Sequence, residues 1–176
     1  MSGKAISVPL SNNKALHRGW ITFLQRYEWQ WFCTLTFRDM VHPEAADKRF
    51  RTLISKINRK LFGPRWSSKT HETIIWARGI EYQKRDVMHF HALIGCYTKD
   101  LDRCTIRRHW ADEWNEMAGF ARIEKIRSAK EATRYVTKYV TKGGQIDLSP
   151  NITSTPRQGD LFGSDTDLAA QSTHTA

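Results

Sequence analysis

The run Met88-His89-Phe90-His91-Ala92-Leu93-Ile94 alternates large apolar and other residues at a period of two, the pattern of a strand and not of a helix. Successive side chains on a strand point to opposite faces. Met88, Phe90, Ala92 and Ile94 are therefore directed to a helix-covered core, while His89 and His91 stand side by side on the other face. Thr73 to Tyr82 is a second strand-like run, separated from Val87 to Gly95 by the polar Gln83-Lys84-Arg85-Asp86, so the two form a hairpin. With that hairpin centred near Arg85, Glu81 lies directly across from His89, at the roughly 4.5–5.5 Å Cβ separation of a cross-strand pair. A slip of one residue would turn the Glu81 carboxylate into the core, where its charge would be costly.

The rest of the chain supplies elements around this hairpin. Asn12 to Glu28 reads as a helix with Leu16, Trp20, Phe23, Leu24 and Tyr27 at helical intervals. Trp31 to Phe37 is aromatic and β-branched, hence a strand. Pro43 opens a helix to about Leu61, with Phe50, Leu53, Ile54 and Ile57 on one side and Gly63-Pro64 as its stop. A helix from about Asp100 to Met117 buries a stripe of Ile106, Trp110 and Trp114. Phe120 to Ile126 is a last strand and Ser128 to Lys142 a last helix. The order after the first helix, β-α-β-β-α-β-α, implies an α+β fold: an antiparallel sheet of ferredoxin-like, or RNA-recognition-like, topology with helices on one face. The other face is left open for ligands. Residues 1–30 read as an N-terminal helical extension, 31–142 as the main domain and 143–176 as a disordered tail too poor in aliphatic clusters to offset its ordering entropy.

Charge separates these parts. The 176 residues carry a formal +10. In the tail, Arg157 stands against Asp147, Asp160, Asp165 and Asp167, a net −3, which leaves +13 on residues 1–142. A polyanion is the expected partner of such a body, nucleic acid before a membrane surface. Cys33, Cys96 and Cys104 lack metal-ligand spacing and are odd in number, which fits a reducing cytoplasm. No apolar run reaches the roughly 18 residues of a membrane span, and Met1 to Leu10 has no signal-peptide core. The expectation is a cytoplasmic protein with no membrane partner.

Two constellations carry chemistry. His89, His91 and Glu81 on one face form a mixed nitrogen and oxygen donor set with open positions, suited to Mg²⁺ or Mn²⁺, with Zn²⁺ as an option. The competing reading is a pair of surface imidazoles on an exposed strand. Other His-x-His families fit poorly, because Leu93 stands where a third alternate histidine would be and Glu81 precedes the pair where a cupin's glutamate follows it. The second constellation is Arg134-Tyr135-Val136-Thr137-Lys138-Tyr139-Val140-Thr141-Lys142, a doubled Tyr-Val-Thr-Lys unit. Tyr135 and Tyr139 share a helix face, as do Lys138 and Lys142. A phenol can attack a phosphodiester if something assists loss of its proton. The alternative is two amphipathic core tyrosines.

Taken in order, the strand Phe32-Cys33-Thr34-Leu35-Thr36-Phe37, the pair His89-Phe90-His91 preceded by Glu81, and the doubled tyrosine unit closely resemble the motifs of the HUH endonucleases. These are the rolling-circle replication initiators of small phages and plasmids, with relatives among transposases and conjugative relaxases. The likeness spans about Trp31 to Lys142. It implies that Phe32 to Phe37 is the central strand beneath the site, that His89, His91 and Glu81 hold a divalent metal, Mg or Mn, and that Tyr135 and Tyr139 are the nucleophiles of a two-tyrosine member. Tyr-x-x-Lys, the single-tyrosine form, is satisfied by both repeats. Lys138 and Lys142 would contact the phosphate.

The implied function is sequence-specific nicking and joining of single-stranded DNA, or of an origin hairpin, through a 5′-phosphotyrosine that initiates rolling-circle replication in a bacterial host cell. A transposase or relaxase is the alternative within the class. A non-catalytic, RNA-recognition-like module for single strands is the alternative outside it. Arg78, Lys84, Arg85, Arg107, Arg108, Arg134 and Lys138 would attract the backbone, whereas Trp76, Trp110 and Trp114 read as core. No Gly-x-x-x-x-Gly-Lys-Ser/Thr segment occurs, so unwinding falls to a host helicase. In the tail, Gln158-Gly159-Asp160-Leu161-Phe162 resembles the short peptides that dock on the bacterial sliding clamp, with Leu161 and Phe162 in an apolar pocket and Gln158 as a polar contact.

Overall fold

The computed structural model describes residues 7–8, 14–82, 87–140 and 146–154. Its elements are β1 (Ser7–Val8), α1 (Lys14–Leu24), β2 (Trp31–Thr36), α2 (Pro43–Phe62), β3 (Ile75–Tyr82), β4 (Met88–Gly95), α3 (Leu101–Cys104), α4 (Arg107–Met117), β5 (Ala121–Lys125), α5 (Ala129–Val140) and β6 (Ile146–Leu148). The strands form one antiparallel sheet in the order β1-β6-β3-β4-β2-β5. Within the β2-α2-β3-β4-α4-β5 portion the order is fourth, first, third, second, which is the ferredoxin-like arrangement expected from the element order.

The alternation of β4 holds. Met88, Phe90, Ala92 and Ile94 enter a core shared with Trp31, Cys33 and Leu35 of β2, with Phe50, Leu53, Ile54 and Ile57 of α2, and with Trp110 and Trp114 of α4. Glu81 faces His89 across the β3–β4 pair. Pro43 starts α2, and Gly63, at φ 82°, ends it in a conformation that glycine adopts without strain.

Three expectations change. The second face is not wholly open, because Leu24, Tyr27 and Trp29 from α1 and its following loop join Ala132 and Tyr135 of α5 over Phe32, Ala77 and Leu93. Helices thus lie on both faces, and the segment before residue 31 belongs to the same packed body: β1 pairs with β6 and α1 packs on α5. The tail begins later than residue 143. Ile146 and Leu148 alternate onto the free edge of β3, Ser149 exchanges hydrogen bonds with the Trp76 backbone, and Ile152 is buried. A few well-spaced apolar residues were hidden by the polar average around them. Finally, Asp100 to Met117 is two helices. Asp100 caps α3, Thr105 and Ile106 are extended, and Ile106 is 72 % exposed and no part of the buried stripe. The break lets the Thr105 hydroxyl accept from the Trp110 indole N–H.

Arg78 corrects a functional expectation. It is 2 % exposed, so it cannot attract a nucleic-acid backbone. Its Nη2 donates to Asp147 of β6 and, at 2.8 Å, to Asp47 of α2, and its guanidinium lies over the rings of Phe90 and Phe50. Arg78→Ala would strand the buried Asp147 carboxylate and is expected to cost about 3–5 kcal/mol in denaturant unfolding. Removing both charges in Arg78→Met/Asp147→Leu should recover most of that loss, and failure to recover would show that the ion pair itself is stabilising. Burial pushes the Asp47 carboxyl up, but Arg51 and Arg78 outweigh it and hold the group below the usual aspartate range. A lowered folded-state value means stabilisation that is complete above the ordinary value of about 3.9 and lost as pH falls through the folded one. The stability gap between the protein and Asp47→Asn should therefore be widest near neutrality and close below about pH 4. Among the described residues, no helix is long and apolar enough to cross a membrane.

Candidate active site

The face of the sheet opposite the α2–α4 core is built in rows across the strands. One row reads Thr36, His89, Glu81 along β2, β4 and β3; the next reads Thr34, His91, Gly79. Two threonines beside two histidines follow from the same period of two, because Phe32, Thr34 and Thr36 must share the face that Cys33 and Leu35 avoid.

The two imidazoles are held differently. His89 is 8 % exposed, and its Nδ1 lies 3.1 Å from the Thr36 hydroxyl. Its Nε2 is buried and has no hydrogen-bond partner among the described residues. A buried ring nitrogen left unpaired costs free energy unless a ligand takes it. With Nδ1–H donating to Thr36, Nε2 is the lone-pair end, the orientation that metal-binding histidines usually have. Burial pushes the His89 imidazole below its ordinary value, partly countered by the Glu81 carboxylate, which keeps the ring neutral and able to ligate near pH 7.

His91 has its Nδ1 3.5 Å from the Thr34 hydroxyl and its Nε2 3.0 Å from Oε2 of Glu81. Glu81 thus sits opposite His89 in register but extends its carboxylate diagonally to His91. Adjacent donors around an octahedral ion at about 2.0–2.1 Å are themselves about 3 Å apart, so this contact suits a shared ion as well as a shared proton. The three side chains do not close into a joint three-ligand cluster among the described residues. The donor chemistry and the orphaned Nε2 nevertheless fit a divalent cation.

The tyrosine helix lies on this same face. Tyr135 of α5 stacks on Phe32 with ring centroids 3.8 Å apart and an interplanar angle of 9°. Phe32 is in turn parallel to the His91 ring, centroids 6.1 Å apart. Tyr135 is 8 % exposed, its hydroxyl 3.5 Å from Oε1 of Glu131 one turn back, and Arg134 lies over its ring. The helix is anchored by a capping box in which Ser128 accepts from the Glu131 N–H and Glu131 accepts from the Arg127 N–H. Tyr139 is one turn further along α5, and Lys138 is exposed on it. Lys142 and the docking-like Gln158, Leu161 and Phe162 lie outside the described residues.

The structure brings His91, Glu81 and, through Phe32, Tyr135 together, with His89 one row away. Sequence reasoning did not find the Phe32–Tyr135 stack, which is a contact between elements a hundred residues apart. Of the basic residues expected to meet a backbone, Arg107 pairs with Asp102 at 2.9 Å, Arg108 and Arg134 are exposed, and Lys84 and Arg85 are outside the described residues.

No curated protein and no solved structure gave a match. The sequence model of one family, described as replication-associated protein ORF2, matches residues 30–144, which covers β2 through α5 and so every side chain of the site. On that match, over more than half of its length, this chain belongs to the replication-associated protein ORF2 family.

Proposed function

We propose that the chain is an HUH-type nicking and joining endonuclease that initiates rolling-circle replication. The observation that carries the reading is the unpaired, buried Nε2 of His89 beside the His91–Glu81 contact, on the face where α5 packs. His89, His91 and Glu81 would hold a divalent ion, Mg²⁺ or Mn²⁺, which when bound supplies Lewis-acid stabilisation of charge on the scissile phosphate.

The remaining steps belong to the chain's own residues. Thr36 fixes the His89 tautomer and ring plane. Tyr135, held in its stack, sets the position of α5 over the sheet and with it the turn that bears Tyr139. The Tyr139 oxygen bonds to phosphorus as the bond from phosphorus to the 3′ oxygen breaks. The phenolic proton is given up, and the departing oxygen takes up a proton to become a 3′-OH that can prime synthesis. The 5′-phosphotyrosine conserves the phosphodiester for rejoining, and Tyr135 is the candidate for a second transfer. Lys138 and Lys142 balance phosphate charge. An in-line attack needs an accessible backbone, so the substrate is single-stranded or extruded at the cut, and strand opening is left to a host helicase.

Incubation with Mn²⁺ and single strands tiled over the replicon that encodes the protein should give an SDS-resistant adduct on one of them. Binding without any adduct would favour a non-catalytic single-strand module. The motif at Gln158-Gly159-Asp160-Leu161-Phe162 is proposed to couple nicking to the host sliding clamp. A tail peptide carrying Leu161→Ala/Phe162→Ala should lose clamp binding at least roughly tenfold by fluorescence anisotropy, as expected for truncated apolar anchors; equal binding by both peptides removes the idea.

A further inference from the structure

An aromatic ring stands in water at the end of the row that contains His89. Phe120 is 64 % exposed, although the loop that carries it is tightly held. Its carbonyl accepts from the Thr36 N–H at 2.8 Å, and the Ala118 carbonyl accepts from the Arg38 N–H at 2.9 Å. The Trp114 indole donates to the Thr36 carbonyl at 3.0 Å, and the Arg38 guanidinium donates to the Asn115 carbonyl at 2.7 Å. Between them Gly119 passes so close to β2 that a Cβ there would sit 2.4 Å from the Thr36 carbonyl oxygen. Phe120 is thus fastened beside Thr36 by its backbone while its side chain is given no partner ring among the described residues.

The face to which it turns follows from register. Ala121 pairs with Leu35, and both are in the α2–α4 core. One residue back, alternation sends Phe120 to the face of Thr36 and His89. The row then reads Phe120, Thr36, His89, Glu81 across four strands, with Phe120 two strand spacings, roughly 10 Å, from His89. In the next row Arg122 stands exposed beside Thr34 and His91, 2.8 Å from Glu124. Tyr82, the other large exposed aromatic, lies opposite Met88 and so on the core side of the sheet, away from this row. A lone exposed apolar residue needs no explanation. A ring pinned flush with the row of a metal-ligand candidate, next to an arginine, matches the stacking platforms by which proteins hold single-stranded nucleic acid: every base has a π-face, and a nearby cation tracks the backbone.

We propose that Phe120 is a stacking residue for a base of the single strand, flanking the phosphate presented at His89, with Arg122 contributing backbone charge; this rests on the single-strand reading above. It sets how the strand lies across the sheet. Phe120 is a binding and positioning residue and takes no part in bond making.

The test uses the full chain carrying Tyr135→Phe/Tyr139→Phe, without divalent metal, so that binding is read apart from cleavage. Single strands with one 2-aminopurine at successive positions should show quenching confined to one or two positions. Phe120→Ala should abolish that quenching and weaken binding roughly 5- to 100-fold, with an unchanged Tm, and Phe120→Trp should restore both. In the cleavage-competent chain Phe120→Ala should raise KM and leave kcat nearly unaltered. Equal binding and quenching by Phe120→Ala overturns the proposal, as does an absence of single-strand binding by the parent. Phe120-dependent binding by a chain that forms no adduct would leave the stacking role standing and remove the nuclease reading. Adduct formation that is indifferent to Phe120 would do the reverse.

Discussion

Tyr139→Phe is expected to lower adduct formation by roughly 10³-fold or more, while Tyr135→Phe should leave first-strand cleavage within about tenfold of the parent. The asymmetry comes from the setting of Tyr135. Its ring is stacked on Phe32 and 8 % exposed, and its hydroxyl is directed back toward Glu131. Removing that hydroxyl leaves the stack in place. Tyr135→Ala removes the stack itself and should cost about 3 kcal/mol of stability or more, the range for truncating a large buried ring. The measurement is a single-turnover assay of the covalent species with each variant, alongside denaturant unfolding. A Tyr135→Phe chain that forms no adduct, with Tyr139→Phe intact, would reverse the assignment. Loss of rejoining in Tyr135→Phe, with cleavage preserved, is the result expected if the two tyrosines act in turn.

His89→Ala is expected to reduce metal-dependent cleavage by at least about 10²-fold, yet change stability by less than about 1 kcal/mol. A side chain that contributes packing alone would show the opposite pattern. The stability effect is small because truncation also removes the cost of the unpaired, buried Nε2. Thr36→Val keeps the shape of β2 but deletes the hydroxyl 3.1 Å from Nδ1, and should weaken Mn²⁺ binding roughly 10- to 100-fold, as lost outer-sphere partners of histidine ligands usually do. Mn²⁺ affinity read by electron paramagnetic resonance separates the two variants from a folding defect. Full cleavage by His89→Ala would remove this histidine from the metal site.

How far the chain could be read before its tertiary structure depended on whether the governing interaction was local or periodic. The hairpin register, with Glu81 across from His89, was legible because a period of two admits one pairing that keeps Glu81 out of the core and Phe90 in it. The βαββαβ order was legible for the same reason, each element being marked by its own periodicity and stops. Arg78 was misread because one arginine in a strand says nothing about the Asp147 and Asp47 that reach it from far along the chain. The late strand Ile146–Leu148 was missed because the edge of β3 that orders it is remote in sequence.

By itself, then, the sequence determined which residues share a face: His89 with His91, Thr34 with Thr36, and the core residues opposite them. Side-chain alternation is a property of the backbone and needs no partner. Tertiary structure alone decided that Glu81 turns to His91, that Phe32 carries Tyr135, that α1 and α5 cover part of the face expected to be open, and that Phe120 is fastened beside Thr36. Each of those depends on where a distant element packs, and that is settled by the burial of apolar surface over the whole sheet.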